Sequence, residues 1–190
     1  MELASKSISE KEIAQFELPD PFDQEISLDM YISNPKTGNK GLYSCILDPY
    51  SFFDLILPLD VAQQLGLDVG NPKKIKEINF LMENKQKMIE LDRRSQNLSC
   101  SVPYRIQNEK IVTASATAVY LFVYEKLEMP FKGIKASEPI ILGRYLLDAL
   151  FMKLQYDEHN DAYKLSLNRD ARDLEEWDLS PLDELLHILP

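Results

Sequence analysis

The chain has 190 residues, 45% of them hydrophobic, which is long enough for one domain with a full core. Its 21 basic and 31 acidic side chains leave a formal net charge of -10. That balance speaks against a general nucleic-acid or anionic-membrane binder, because phosphate contacts need clustered Lys and Arg.

Cys45 and Cys100 show no C-x-x-C spacing, and His159 and His187 are isolated. This set makes neither a disulfide framework nor a zinc site, so no metal or other cofactor is expected. The N-terminus MELASKSISEKEIAQ alternates charges without the apolar core of a signal peptide. No run approaches the roughly 20 apolar residues that span a bilayer. A cytoplasmic, reducing location is expected.

Residues 1–24 read as an N-terminal arm. Ser9 can cap a short helix over Lys11–Phe16, which Leu18-Pro19-Asp20-Pro21 ends, since a proline disfavours helix before it. In EISLDMYIS, Ile26, Leu28, Met30 and Ile32 alternate with polar neighbours, the period of a half-buried strand. Asn34–Gly41 supplies hairpin turn chemistry, and Leu42–Leu47 returns as the partner strand, delivering Asp48 at its end.

Beyond Asp48-Pro49-Tyr50, Leu55-Ile56-Leu57 reads as a short buried strand stopped by Pro58. Asp60 is placed to cap a helix through Val61–Leu65, with Gly66 as its left-handed C-terminal residue. Residues 67–110 read as an insertion. In it Ile75–Met82 and Met88–Leu91 form strands around a turn at Glu83–Gln86, although Ile75, Ile78 and Met82 also fit helical spacing. Lys73, Lys74, Lys76, Lys85, Lys87, Arg93 and Arg94 make this segment basic in an acidic chain, which suits a solvated hairpin or a contact surface.

The run IVTASATAVYLFVYEKLEM predicts one long strand, with a turn at Glu125-Lys126 into Leu127–Ile134. Pro139–Gly143 predicts a buried strand closed by glycine, and Arg144–Phe151 a helix with Leu146, Leu147, Leu150 and Phe151 on one face. Met152–Tyr156 and Ala162–Leu167 predict a last hairpin. Many short strands with two short helices give a mainly β domain over residues 25–167, a closed barrel or sandwich.

Residues 168–190 form an acidic tail. Asp170, Asp173, Glu175, Glu176, Asp178, Asp183 and Glu184 surround Leu174, Trp177 and Leu179. Ser180-Pro181-Leu182-Asp183 is a helix start, and Leu182, Leu185, Leu186 and Leu189 form an apolar stripe at i, i+3, i+4, i+7. Such a helix either docks on its own β core or enters a partner's groove. Leu174, Trp177, Leu182, Leu185, Leu186 and Leu189 are therefore the candidate partner-binding residues.

Three pieces in this order resemble the retropepsin-like aspartic proteases in their short bacterial form. They are the strand into Asp48 followed by LILPLDVAQQLGL, the strand pair over Ile111–Ile134, and the junction Glu138-Pro-Ile-Ile-Leu-Gly-Arg-Tyr-Leu-Leu147. The resemblance covers residues 25–66 and 110–167. It implies a retropepsin-like β domain, completed as a homodimer where active, with Asp48 in the place of the catalytic carboxylate.

The residues after Asp48 depart from the family's Asp-Thr-Gly. Pro49 lacks both the bracing hydroxyl and a backbone N–H, and Tyr50 brings a ring where glycine permits close approach. The expectation is therefore a catalytically inactive domain that binds another protein, chiefly through its C-terminal helix. The alternatives are a divergent homodimeric aspartic endopeptidase using Asp48, or an adaptor unrelated to proteases. Neither nucleic acid nor membrane is an expected partner.

Overall fold

A computed structural model describes residues 17–18, 27–81, 84–105, 111–128, 138–150, 152–157, 159 and 162–167. In chain order these form β1 (Glu17–Leu18), β2 (Ser27–Ser33), β3 (Lys40–Asp48), β4 (Leu55–Pro58), α1 (Leu59–Gln64), β5 (Ile75–Phe80), β6 (Asn84–Glu90), β7 (Leu98–Arg105), β8 (Ile111–Ala118), β9 (Leu121–Tyr124), β10 (Ile140–Gly143), α2 (Arg144–Ala149), β11 (Met152–Asp157) and β12 (Ala162–Leu167). The domain is mainly β with two short helices. The expected helix at Lys11–Phe16, the strand Leu127–Ile134 for its greater part, and the tail 168–190 with its six candidate contact residues lie outside the described residues.

The alternation in β2 buries Leu28, Met30 and Ile32 and exposes Ser27 and Asp29. At the following turn, Gly38 sits at φ 77°, and its N–H donates to the Asn34 carbonyl at 2.9 Å. The same turn holds α1. Asn34 Nδ2 and Thr37 Oγ1 donate to the Leu65 carbonyl at 2.8 and 3.2 Å, and Asn39 Nδ2 donates to the Gln64 carbonyl at 2.9 Å. These bonds take up carbonyls that a helix C-terminus leaves unpaired. Gly66, at φ 72°, ends the helix as its sequence position implies. Asp60 is not the cap. The helix begins one residue earlier, at Leu59 after Pro58, and the Asp60 carboxylate accepts from Val61 N–H at 2.8 Å within the first turn.

Strands β5 to β10, with β2 to β4, form one nine-stranded sheet in the order β5-β6-β9-β4-β10-β3-β2-β7-β8. A second sheet of three strands runs β1-β12-β11. The centre of the large sheet is mixed: β10 runs parallel to β3 and antiparallel to β4, and β4 runs parallel to β9. All residues of β4, β9 and β10 are buried, which is why their sequences are continuous apolar runs rather than alternations. Leu55, Leu57, Leu121, Val123 and Leu142 join the larger core on one side. Ile56, Phe122, Ile141 and Tyr124 pack on the other with Phe53, Ile78, Phe80 and Met88. Each such fully buried side chain stabilises the fold by about 1.5–3 kcal/mol.

The closed barrel expected from sequence is not formed. Among the described residues the sheet ends at β5 and β8, and these edges do not pair. Strand β5 carries the marks of an open edge, with Ile75, Lys76 and Glu77 exposed and charge along it. The sheet nevertheless curls. Helix α2 leaves from β10 yet packs against β8, four places along the order, and its Leu146 and Leu147 share the main core with Ala114 and Ala118.

Two further differences concern strands. The turn of the β5–β6 hairpin lies before Asn84 rather than at Glu83–Gln86, because Asn84–Gln86 already pair with Phe80–Ile78. The run from Ile111 is not one strand: β8 stops at Ala118, Val119-Tyr120 bends, and β9 starts at Leu121 in a different part of the sheet. Strand β7 was not foreseen. Its Leu98, Cys100 and Val102 are buried, between the antiparallel neighbours β2 and β8. Among the described residues no helix is long and apolar enough to cross a membrane.

Candidate functional site at the Asp48 turn

Strand β10 lies between β3 and β4, so the turn that joins them, residues 49–54, folds over its C-terminal end. The register sets Gly143 beside Asp48. Gly143 is glycine for want of space: a Cβ there would lie 2.3 Å from the Phe53 carbonyl oxygen and 2.5 Å from its ring. The turn also receives the start of α2. Gly143 N–H donates to the Asp54 carbonyl at 3.0 Å, Arg144 N–H to Ser51 at 2.9 Å and Tyr145 N–H to Phe53 at 3.2 Å. The first N–H groups of α2, which has no side-chain cap, are thereby satisfied by the turn itself.

Asp48 is completely buried. One carboxylate oxygen, Oδ1, accepts from Tyr50 N–H at 3.3 Å, spanning Pro49, which has no N–H to offer. The other, Oδ2, accepts from Leu81 N–H at 2.6 Å. Leu81 stands at the tip of the β5–β6 hairpin with φ 46°, a left-handed conformation that costs a leucine about 1 kcal/mol or more. The hairpin tip is thus held onto the turn by a charge-assisted bond, the strong kind. Asp54, also buried, does something similar on the other side: its Oδ2 accepts from both Val119 and Tyr120 N–H at 2.8 Å. Both acids of the turn serve backbone donors.

The outer surface of the turn is aromatic. Phe52 is 64% exposed, Tyr50 45% and Tyr145 47%. Phe52 and Tyr145 have ring centroids 5.7 Å apart, and Tyr145 stacks with Tyr120 at 6.3 Å. Arg93 lies over the Tyr120 ring, 3.4 Å from its centroid, and Lys76 Nζ donates to the Tyr120 hydroxyl at 2.6 Å. That bond pushes the Lys76 ammonium pKa above its usual range. Between the turn and β5 opens a cleft of about 470 Å³, lined by Tyr50–Phe53, Glu77–Asn79, Tyr120 and Phe122.

The structure leaves Asp48 at the strand end where sequence puts it. Of the basic segment, Lys76 and Arg93 converge on Tyr120, Lys74 and Arg93 bridge Glu90 at 3.1 and 3.5 Å, and Lys73 bridges Glu125 at 2.6 Å. The aromatic face itself is not legible in the sequence; its members come from residues 50–52, 120 and 145, and the side-by-side order β9-β4-β10-β3 gathers them at one end of the sheet. His159 is exposed in the turn between β11 and β12. Cys45 and Cys100 are free and buried. Among the described residues no group of three His, Cys, Asp or Glu side chains is placed to hold a metal ion. A comparison of the chain with family models, curated proteins and solved structures finds no match to any of them.

Proposed function

We propose that the chain is a catalytically inactive relative of the retropepsin-like aspartic proteases that works as a protein-binding module. The observation that carries this reading is the state of Asp48: it has no solvent exposure, and both its oxygens are occupied by backbone N–H groups. A carboxylate that activates water must present an oxygen to that water and share a proton with a second carboxylate. Asp48 presents none, and the other acid of the turn, Asp54, is committed to Val119 and Tyr120. The kinship rests on the Asp48 turn folding over a buried strand that ends at Gly143, with Arg144 opening the helix after it, in line with the resemblance in the sequence.

Binding is supported by what faces outward. An exposed group of aromatic rings edged by Arg93 and Lys76 combines rigid apolar area with charge, the composition of energetic centres in protein interfaces. The deciding experiment is a peptidase assay at acidic and neutral pH on the wild type and Asp48→Asn. No cleavage by either protein is expected. Wild-type cleavage abolished by the substitution would establish the endopeptidase alternative instead.

A further inference from the structure

We propose that the aromatic face at the Asp48 turn is the docking site of the chain's own acidic tail, with Trp177 seated in the cleft beside Phe52 and Tyr120. The tail would thus cover, from within the chain, the face that the binding-module reading offers to a partner, and the proposal stands or falls separately from the loss of catalysis.

Charge complementarity is the first ground. The segment after β12 holds seven acidic and two basic side chains, and DLEEWDL sets four acids around Leu174, Trp177 and Leu179. The cleft is bordered by Lys76 and Arg93, both on the Tyr120 ring, and Arg144 opens the adjoining helix with half its side chain exposed; Arg93 and Arg144 each also have an acid at 3.5 Å, Glu90 and Asp148. Acids flanking an indole match cations flanking an aromatic cleft: the carboxylates meet Lys and Arg while the ring stacks on tyrosine and phenylalanine. Glu77, the acid among the cleft's lining residues, is already paired with Lys85 at 2.7 Å.

Reach is the second ground. Leu167, where the described chain ends, pairs with Met152, three residues beyond the end of α2. The six residues of α2 span about 9 Å, and at its other end stand Arg144 and Tyr145, the latter stacked on Tyr120. The nine residues from 168 to 176 extend to about 30 Å, so Trp177 reaches the cleft from its own chain with slack.

Trp177 is the sole tryptophan, so its fluorescence reports the docking directly. The intact protein is compared with a synthetic peptide of residues 168–190 and with Lys76→Glu/Arg93→Glu and Phe52→Ser variants, all three sites being exposed. The expected result is blue-shifted emission in the intact protein that moves to the peptide's value in both variants, and partly so near 1 M salt, where screening acts over about 3 Å. Far-UV circular dichroism checks that the variants keep the fold. Emission equal to the free peptide's in the intact protein, or blue-shifted emission that folded variants retain, overturns the proposal. A blue shift that grows with protein concentration alongside a dimer mass in light scattering also overturns it, assigning the cleft to a second copy's tail.

Discussion

Asp54 holds the Tyr120 backbone from both sides: its carboxylate accepts the Tyr120 N–H at 2.8 Å, and its own N–H donates to the Tyr120 carbonyl at 3.1 Å. With the Val119 N–H on the same oxygen, this is what turns the chain out of β8 and into β9. Removing the carboxylate strands two backbone donors in a site that is 5% exposed. Hydrogen bonds to a charged group contribute about 1.5–3 kcal/mol, so Asp54→Ala is expected to destabilise the domain by about 3 kcal/mol. Asp54→Asn keeps an acceptor and should lose less than half as much. Urea unfolding of the three proteins measures both.

Gly143 gives a steric prediction. An alanine Cβ would meet the Phe53 carbonyl at 2.3 Å, a backbone atom that cannot step aside without moving the turn. Overpacking of this kind costs about 1–3 kcal/mol, and more where backbone must shift. Gly143→Ala should therefore lower the thermal midpoint sharply and break the register with Asp48. The matching change at Gly38, where a Cβ meets nothing within 4 Å, carries only the penalty of φ 77° and should cost about 1 kcal/mol.

These two residues also mark what sequence can and cannot reveal. The strand that ends in Gly143, the helix after it and the hairpin that delivers Asp48 are all legible, because each is coded locally by an apolar run, a glycine or an alternation. The last hairpin and the end of α1 at Gly66 were legible for the same reason. The break at Val119-Tyr120 was not: VTASATAVYLFVY is β-prone throughout, and the acid that interrupts it lies 65 residues earlier. Strand β7 carries a local signal too, since Leu98, Cys100 and Val102 alternate with Ser99 and Ser101; Pro103 is the residue that speaks against a strand, but it falls beyond the three-residue register with β2 and breaks none of those pairs. For the site, Asp48 was visible as a turn residue, but its second partner, Leu81, is set by a hairpin tip that no local pattern places there.

Asp48 supplies a test of that hairpin clamp. If the carboxylate is structural, Asp48→Ala should cost about 2–3 kcal/mol, because the Tyr50 and Leu81 N–H groups lose the fully buried acceptor to which they are bonded. Hydrogen exchange should localise the effect, with the Leu81 amide and the β5–β6 hairpin losing protection before the β3–β10 pair does. A catalytic acid usually behaves oppositely, its removal leaving stability level or improved. Stability unchanged in Asp48→Ala would remove the structural role assigned here.

Alkali should destabilise the domain with two successive slopes. Burial raises the pKa of the Cys45 and Cys100 thiols, with Asp29 adding to the first and Cys45 and Asp54 to the second. Burial also raises Tyr124, helped by Glu138 and Asp60, and its hydroxyl donates to the Pro139 carbonyl at 2.7 Å. In each case the folded state holds its proton at pH values where the unfolded chain has released it. The unfolded state then binds fewer protons, so stability falls as pH rises past the unfolded value, about 8.5 for the thiols and about 10 for the phenol. Each group contributes a slope of up to about 1.4 kcal/mol per pH unit. Urea midpoints should hold level to about pH 8 and then decline, the slope steepening above about pH 10. In Cys45→Ala/Cys100→Ala the first decline should vanish and the second remain. Both thiols of the native protein should resist a thiol reagent at pH 8 and react at once in denaturant, since neither has exposed surface.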